Sequence, residues 1–512
     1  MTAEYLVGVD IGTQSAKAAL YDASGRCLAE AAEPLELHAQ GPDRVEQDPQ
    51  NFYDATTKTI ASCIEQSGID SRSVAAVGIA GQMAGILGVG RDGRALTPYD
   101  SWLDSRCSTD LAELDRLCGD EITARTGCPP MVAHAPKLRW WKRTQPDVFD
   151  AAEKFVVPSA YVAGRLCGLG ADDAYIDWTH LHFTGLVDAA TSTWSAELVE
   201  AVGVPLSKLP RIVAPTDVVG ALTAEAARES GLHPGTPVVA GLGDTAAGAL
   251  GAGLVASGQL LDTAGTASVL AVSVPAFRAD LATRTLMVMR GAVPGQWITL
   301  SYLAGGNALR WLPQALGGAE AGDDAALQSL LEEARASSDA ANGPLFVPHL
   351  GGRILPASPA LRGAWIGLEF AHTRADLVRA VLESVAFEYA GYFALAGELF
   401  PEIVPSDVRL IGGGSPNRLW NEIKASALGL PYLRLEGDNF TCWGAALAAG
   451  CGVGLIADMA AAALDTAPYS ERIEPDARLV EIYRERGLAY RAAVESFTEA
   501  AGVPSKRQEA LV

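Results

Sequence analysis

A short pattern occurs twice in this sequence, about half a chain apart. "VGVDIGTQSAKAALYD", residues 7 to 22, sets an apolar strand, Asp10, the turn Gly12-Thr13-Gln14-Ser15 and a second apolar strand in series. "LLDTAGTASVLAVSV", residues 260 to 274, restates it with Asp262 and Gly265-Thr266-Ala267-Ser268. A carboxylate at the end of a buried strand is costly unless it is paired, hydrogen-bonded or bound to a metal. The small hydroxylated residues after it suit a tight turn with free backbone donors. Taken alone, the first copy is equally an ordinary hairpin whose Asp caps the turn. As a pair, the copies predict two similar α/β domains facing each other. Each would offer one loop to the same polyphosphate in the cleft between them.

The length agrees with duplication, since 512 residues exceed what one core holds. With 49% hydrophobic and 20% charged residues, the chain has the composition of an ordinary globular protein. Its net charge of −22 argues against nucleic acid or an anionic membrane as partner. A polyphosphate would therefore need local donors, metal ions and helix ends. Eight cysteines without a C-x-x-C pair give neither a disulfide framework nor a zinc ribbon. Met1 to Glu4 lack the basic and apolar regions of a signal peptide. The uncharged stretch from Thr245 to Leu261, rich in Ala and Gly, reads as buried helix and turn rather than a membrane span. A cytoplasmic protein is expected, and a homodimer is left open.

Along the chain, Tyr5 to Asp10, Ala16 to Tyr21 and Cys27 to Leu37 read as a strand meander. A helical pattern runs from Pro49 to Ser67, and the apolar run Val74 to Ile79 predicts a strand buried on both faces. A third glycine turn, Gly412-Gly413-Gly414, sits between a strand and a helix from about Arg418. It lets a ligand approach the backbone near a helix N-terminus, or is a plain strand-to-helix connection. Residues 455 to 512 predict terminal helices, and Asp172 and Asp173 a solvated face. His180 and His182 lack a third ligand at zinc-like spacing and read as loop or cleft residues.

From Val7 to about Ala449 the sequence resembles the FGGY family of carbohydrate kinases, and within it the xylulokinase branch. "GIAGQMAG" and "SWLDSRC" are similar to that branch's sugar-binding segments, and "VVAGLGDTAAGALGAG" to the segment with the family's catalytic Asp. "GAWIGLEFAHTRADLVRAVLESVAFE" fits the family's C-terminal signature, and "LIGGGSPNRLW" its adenosine-binding turn. The resemblance implies an α/β fold of two ribonuclease-H-like, actin-like ATPase domains around a deep cleft. We expect them at 1–246, binding the sugar, and 247–512, binding the nucleotide. It implies ATP and Mg²⁺, with Asp10 holding the metal and Thr13, Gln14 and Ser15 of the Gly12 turn approaching the terminal phosphates beside Lys17. Gly265 and Thr266 match the second phosphate loop, and Gly306, Gly413, Gly414 and Asn417 the rest of the nucleotide site. Arg310 stands where some relatives carry Gln.

Asp244 follows an apolar strand and opens a Gly/Ala-rich helix, whose dipole would keep it ionised. The position suits an N-cap equally well. The resemblance assigns it the general base that takes a proton from a sugar hydroxyl. Gln82, Met83, Ala84, Trp102 and Asp104 match sugar-contact positions; Asp104 would accept two hydroxyls and Trp102 stack on a sugar face. Each of these two alone is also a turn Asp or a core Trp. Ala84 stands where xylulokinases usually have His, Leu103 where they often have Asn, and Gly352 where Glu is usual. The expected reaction is ATP-dependent phosphorylation of the terminal hydroxyl of a ketopentose, D-xylulose first. Alternatives are ribulose, erythritol or glycerol, then an actin-like ATPase without sugar kinase activity, then a catalytically dead sugar sensor.

Overall fold

The opening residues alternate little, because the strand they form is covered on both faces. In the computed structural model, which describes residues 4–265, 267–303, 305–337 and 341–500, β1 (Tyr5–Ile11) lies at the centre of a sheet. It pairs antiparallel with β2 (Ser15–Asp22), which pairs antiparallel with β3 (Cys27–Pro34). Helix α1 (Pro49–Ser67) covers this meander. Asp48 caps its start by accepting the Gln50 N–H at 2.9 Å, and Gly68 ends it at φ 65°. The chain returns as β4 (Val74–Gly81), buried throughout and parallel to β1, then α2 (Pro158–Cys167) and β5 (Pro237–Val239), parallel to β4.

Helix α3 (Asp244–Gly251) leads to a second sheet with the same plan. There β6 (Leu260–Ala264), β7 (Ser268–Val274) and β8 (Trp297–Leu303) form the antiparallel meander. Then α4 (Arg374–Leu399), β9 (Val408–Ile411), α5 (Arg418–Leu428), β10 (Tyr432–Leu435) and α6 (Phe440–Gly452) follow. The strand orders are β5-β4-β1-β2-β3 and β10-β9-β6-β7-β8, with parallel and antiparallel pairs in matching places. Duplication read from two turns thus extends to five strands and three helices on each side.

The two halves are joined by their equivalent helices, α3 and α6, which pack on each other while α6 lies across β1 and β4. Small residues allow this: a Cβ on Gly444 would lie 2.0 Å from the Ala247 backbone oxygen, and one on Gly78 2.1 Å from that of Ala445. The division expected at 246/247 falls inside α3.

Three local expectations are revised. The third strand ends at Pro34, not Leu37. The tail holds helices Met459–Asp465 and Ala477–Ala500, but also a strand, Tyr469–Ile473, on the edge of the second sheet beside β10. Asp262 is not the counterpart of Asp10. Relative to the shared glycine it stands one residue earlier, and one step along a strand turns a side chain to the opposite face. It is fully buried, pairs with Lys424 and accepts the Tyr389 hydroxyl at 2.8 Å, beneath α4 and α5. Among the described residues no helix is long and apolar enough to cross a membrane.

Candidate active site

Asp10 is two residues from Gly8 on β1, so both share the face covered by α6. Across the ladder it pairs with Lys17 of β2. Its Oδ1 is buried without a hydrogen-bond partner among the described residues. Burial first, then the charge of Asp244, pushes its carboxyl up to about 7 against the opposing pull of Lys17. Lys17 offsets the cost of burial only in part, which fits a metal ligand.

The turn after Asp10 closes with the Gly12 N–H donating to the Ser15 carbonyl at 3.0 Å. Its other polar groups are held by neighbouring segments, among them Gln82 and Trp102, which are expected to meet the sugar. Gln82 Nε2 donates to the Gly12 carbonyl at 3.2 Å and to Gln47 Oε1 at 2.8 Å. Gln47 Nε2 in turn donates to the Thr13 carbonyl at 3.0 Å, and Trp102 Nε1 to Thr13 Oγ1 at 3.0 Å. Trp102 remains 36% exposed, so a face of the ring is open. The turn carbonyl of Gln14 accepts the Leu35 N–H. Gln47 was not singled out in the sequence; only the fold brings it under the turn.

Asp244 is the first residue of α3, and Gly243 before it takes the cap position. The cap alternative therefore falls to Gly243, and the carboxyl of Asp244 is left for other work. Its Oδ1 accepts the Thr245 N–H at 2.6 Å and the Thr245 hydroxyl at 3.1 Å. The residue is half-buried. Burial raises its pKa; the Thr245 bonds and the nearby His180 ring oppose that rise. The charge of Asp244 thus acts on Asp10 from a separate element, and among the described residues neither carboxyl makes a salt bridge.

Met83 packs on Gly243, where a Cβ would come within 2.5 Å of its sulfur. Ala84 is buried at φ 62°, and Gln82 Oε1 is buried and unpartnered. Asp104 departs from expectation. It is 1% exposed; its Oδ2 accepts the Val45 N–H at 2.8 Å and its Oδ1 accepts Arg106 Nε at 2.9 Å. Arg106 also pairs with Glu46 at 2.7 Å and with Asp100, and lies over the Trp140 ring. Buried Lys137 donates to the Ser101 and Asp104 carbonyls at 2.8 and 2.9 Å. Asp104 therefore builds the wall behind the pocket instead of offering two free oxygens to a sugar.

On the second sheet, Gly265 closes its turn by donating to the Ala267 carbonyl at 3.0 Å. Thr266 lies outside the described residues. The third glycine turn packs directly onto this loop: the Gly414 N–H donates to the Ala264 carbonyl at 2.7 Å, and Gly412 has φ 94°. Gly413 is exposed, with open space where a Cβ would stand. Asn417 caps α5 by accepting the Trp420 N–H at 3.1 Å, a structural task. Gly306 lies in the helix Gly305–Leu312, which starts against Ser268.

Thr179, which sequence reasoning did not single out, and His180, read there as a loop or cleft residue, lie behind the start of α3. The Gly243 N–H donates to Thr179 Oγ1 at 2.8 Å, and His180 is held by Asp177 at 2.6 Å. Both lie in the short helix Trp178–Phe183, fully buried. The sequence did not show the partner that holds His180, an Asp three residues earlier.

Two duplicated domains joined through paired helices, with a glycine turn of each at the cleft, define the actin-like ATPase fold. The chain belongs to the FGGY family of carbohydrate kinases: the model of the family's N-terminal domain matches residues 5–251 and that of its C-terminal domain residues 263–453. It is an ATP-dependent sugar kinase. It is 30% identical to a xylulose kinase of Klebsiella pneumoniae, over 93% of this chain and 96% of that one. It is also 30% identical to an autoinducer-2 kinase of Yersinia enterocolitica, over 88% and 87%. The crystal structure of xylulose kinase from Rhodospirillum rubrum superposes with a TM-score of 0.89 at 27% identity, covering 97% of this chain and all of that one.

Proposed function

We propose that this kinase transfers the γ-phosphate of ATP to the terminal hydroxyl of a ketopentose, D-xylulose first, with Asp244 as general base. The observation that carries the reading is the pair Asp10 and Asp244, two carboxyls near enough for the charge of one to raise the pKa of the other. Asp244 accepts the hydroxyl proton as the new P–O bond forms; such help is worth roughly 10²–10⁴ in rate. Its raised proton affinity makes it a better base, and the Thr245 bonds keep it ionised and aimed. Backbone donors of the Gly12 and Gly265 turns meet the phosphates, and Lys17 adds charge beside them. Asp10 fits a Mg²⁺ ligand, because its buried Oδ1 lacks a partner. When bound, that ion would neutralise phosphate charge.

The methyl group at Ala84 and the equal identity to an autoinducer-2 kinase support a second reading, another small ketose or polyol such as ribulose, erythritol or glycerol. A coupled ADP-release assay over a panel of these compounds separates the two. D-Xylulose should give the highest kcat/KM; a higher value for another compound replaces the first reading with the second. ADP release indifferent to every compound would instead favour an ATPase.

A further inference from the structure

Three successive carbonyls of the first glycine turn, those of Gly12, Thr13 and Gln14, are each held by a donor from another segment. Gln82 Nε2 donates to the Gly12 carbonyl at 3.2 Å, and Gln47 Nε2 to the Thr13 carbonyl at 3.0 Å. A carbonyl only accepts, so the amide atom facing it is the nitrogen, which fixes how both side chains are turned. Gln82 Nε2 also donates to Gln47 Oε1 at 2.8 Å, and Gln47 Nε2 to the Glu36 carbonyl at 3.4 Å. Every amide donor of the pair is therefore committed. Both residues are 1% exposed, so the side of the turn they hold is its inner side.

The consequence lies on the opposite side of each peptide. In a trans peptide the N–H points away from the carbonyl that precedes it. Holding the Gly12 and Thr13 carbonyls inward therefore turns the Thr13 and Gln14 N–H groups outward. Among the described residues neither N–H has an acceptor. Thr13 is half-buried and Gln14 exposed, so this side is open where the amide side is closed. Adjacent free N–H groups with their carbonyls turned away suit an anion. Asp10 stands two residues before the turn and feels the charge of Asp244, the proposed base. An anion on this turn is thus placed where the γ-phosphate is transferred.

We infer that Gln47 and Gln82 are positioning residues for phosphoryl transfer, holding the turn so that its Thr13 and Gln14 N–H groups meet the γ-phosphate of ATP. This rests on the kinase reading above and adds to it two side chains that act through the backbone. For Gln82 the task replaces the sugar contact expected from the sequence. Removing either amide frees a carbonyl to swing outward, where its oxygen repels the phosphate and its peptide N–H is lost as a donor.

The test measures binding of ADP, of a non-hydrolysable ATP analogue and of the panel compound turned over fastest. Gln47→Met and Gln82→Met each remove one amide at nearly constant length. Each should weaken the ATP analogue by about tenfold to a hundredfold and lower kcat, with ADP and sugar affinity held within about threefold. If one variant does not fold, the other carries the same comparison. Gln47→Asn, which keeps the amide and shortens its reach, is the third. Equal weakening of all three ligands marks a merely structural role and overturns the inference. An unchanged affinity for the analogue overturns it too, as does a loss confined to the sugar. Wild type that binds neither nucleotide overturns the kinase reading, and this one with it.

Discussion

Gly8 and Cys442 belong to different halves of the duplicated chain, and a Cβ on Gly8 would lie 1.8 Å from the Cys442 backbone oxygen. No side chain fits there without moving α6 off β1. Overpacking of this kind typically costs about 1–3 kcal/mol. Gly8→Ala should lower the melting temperature, and it should lower kcat too, since Asp10 lies two residues on along the same face. A variant that melts and turns over like wild type would mean the helix can slide without consequence.

Asp244→Asn removes the proton acceptor and keeps the shape of the site. We expect kcat to fall by roughly 10²–10⁴ while KM for ATP and sugar stays within a fewfold. Single-turnover phosphorylation measures this directly. Turnover within a factor of a few of wild type removes Asp244 from the chemistry.

The two turns proposed to meet the phosphates lie on different sheets, Gly12 on one and Gly265 on the other, so under that reading they must converge on one nucleotide. Hinge closure around α3 and α6 is the expected response. Small-angle scattering should give a smaller radius with sugar and a non-hydrolysable nucleotide than with neither. An unchanged radius in every ligand state counts against closure.

What was legible in the sequence was mostly local. Asp48, Pro49 and Gly68 punctuate α1, and the two G-T-x-S turns announce the duplication, because caps and turns depend on neighbouring residues alone. The face that Asp262 shows was not legible, since one residue of offset reverses it. Nor was the edge strand Tyr469–Ile473, which falls in a stretch expected to be helical. Of the site, Asp10 and Asp244 stood out as carboxylates beside apolar runs. Gln47 and Thr179 did not, because what defines them is Thr13 and Gly243, brought near by the fold.

His182 gives a pH signature. Burial first, and the neighbouring His180 second, push its pKa down to about 3, and His134 is likewise held well below the usual range. Unfolded, a histidine titrates near 6.5. Between pH 6.5 and 3 the unfolded chain therefore binds a proton at position 182 that the folded chain refuses. Stability is whole above pH 6.5 and falls as pH drops, by about 1.4 kcal/mol per unit for each such group. His182→Leu should flatten that slope, read from urea midpoints at pH 7, 6 and 5. An unchanged slope would mean that His182 is not carried neutral.

Ala84 tests the substrate side of the pocket. Its φ of 62° is a conformation that side chains other than glycine seldom take, though His, Asn and Asp tolerate it better than most. Ala84→His is therefore compatible with the backbone, and the xylulokinase branch that the sequence resembles usually carries His there. If position 84 lines the sugar as proposed, the wild-type methyl leaves one sugar hydroxyl without a partner, which costs about 1–3 kcal/mol where that hydroxyl is buried. The histidine should recover it and shift kcat/KM toward D-xylulose relative to ribulose, erythritol and glycerol by about five- to 150-fold. Ala84→Gly is the control: it relaxes the backbone, adds no polar group, and should leave the ranking as it was. If Ala84→His and Ala84→Gly rank the compounds alike, position 84 does not line the sugar, and the selectivity must come from elsewhere in the pocket.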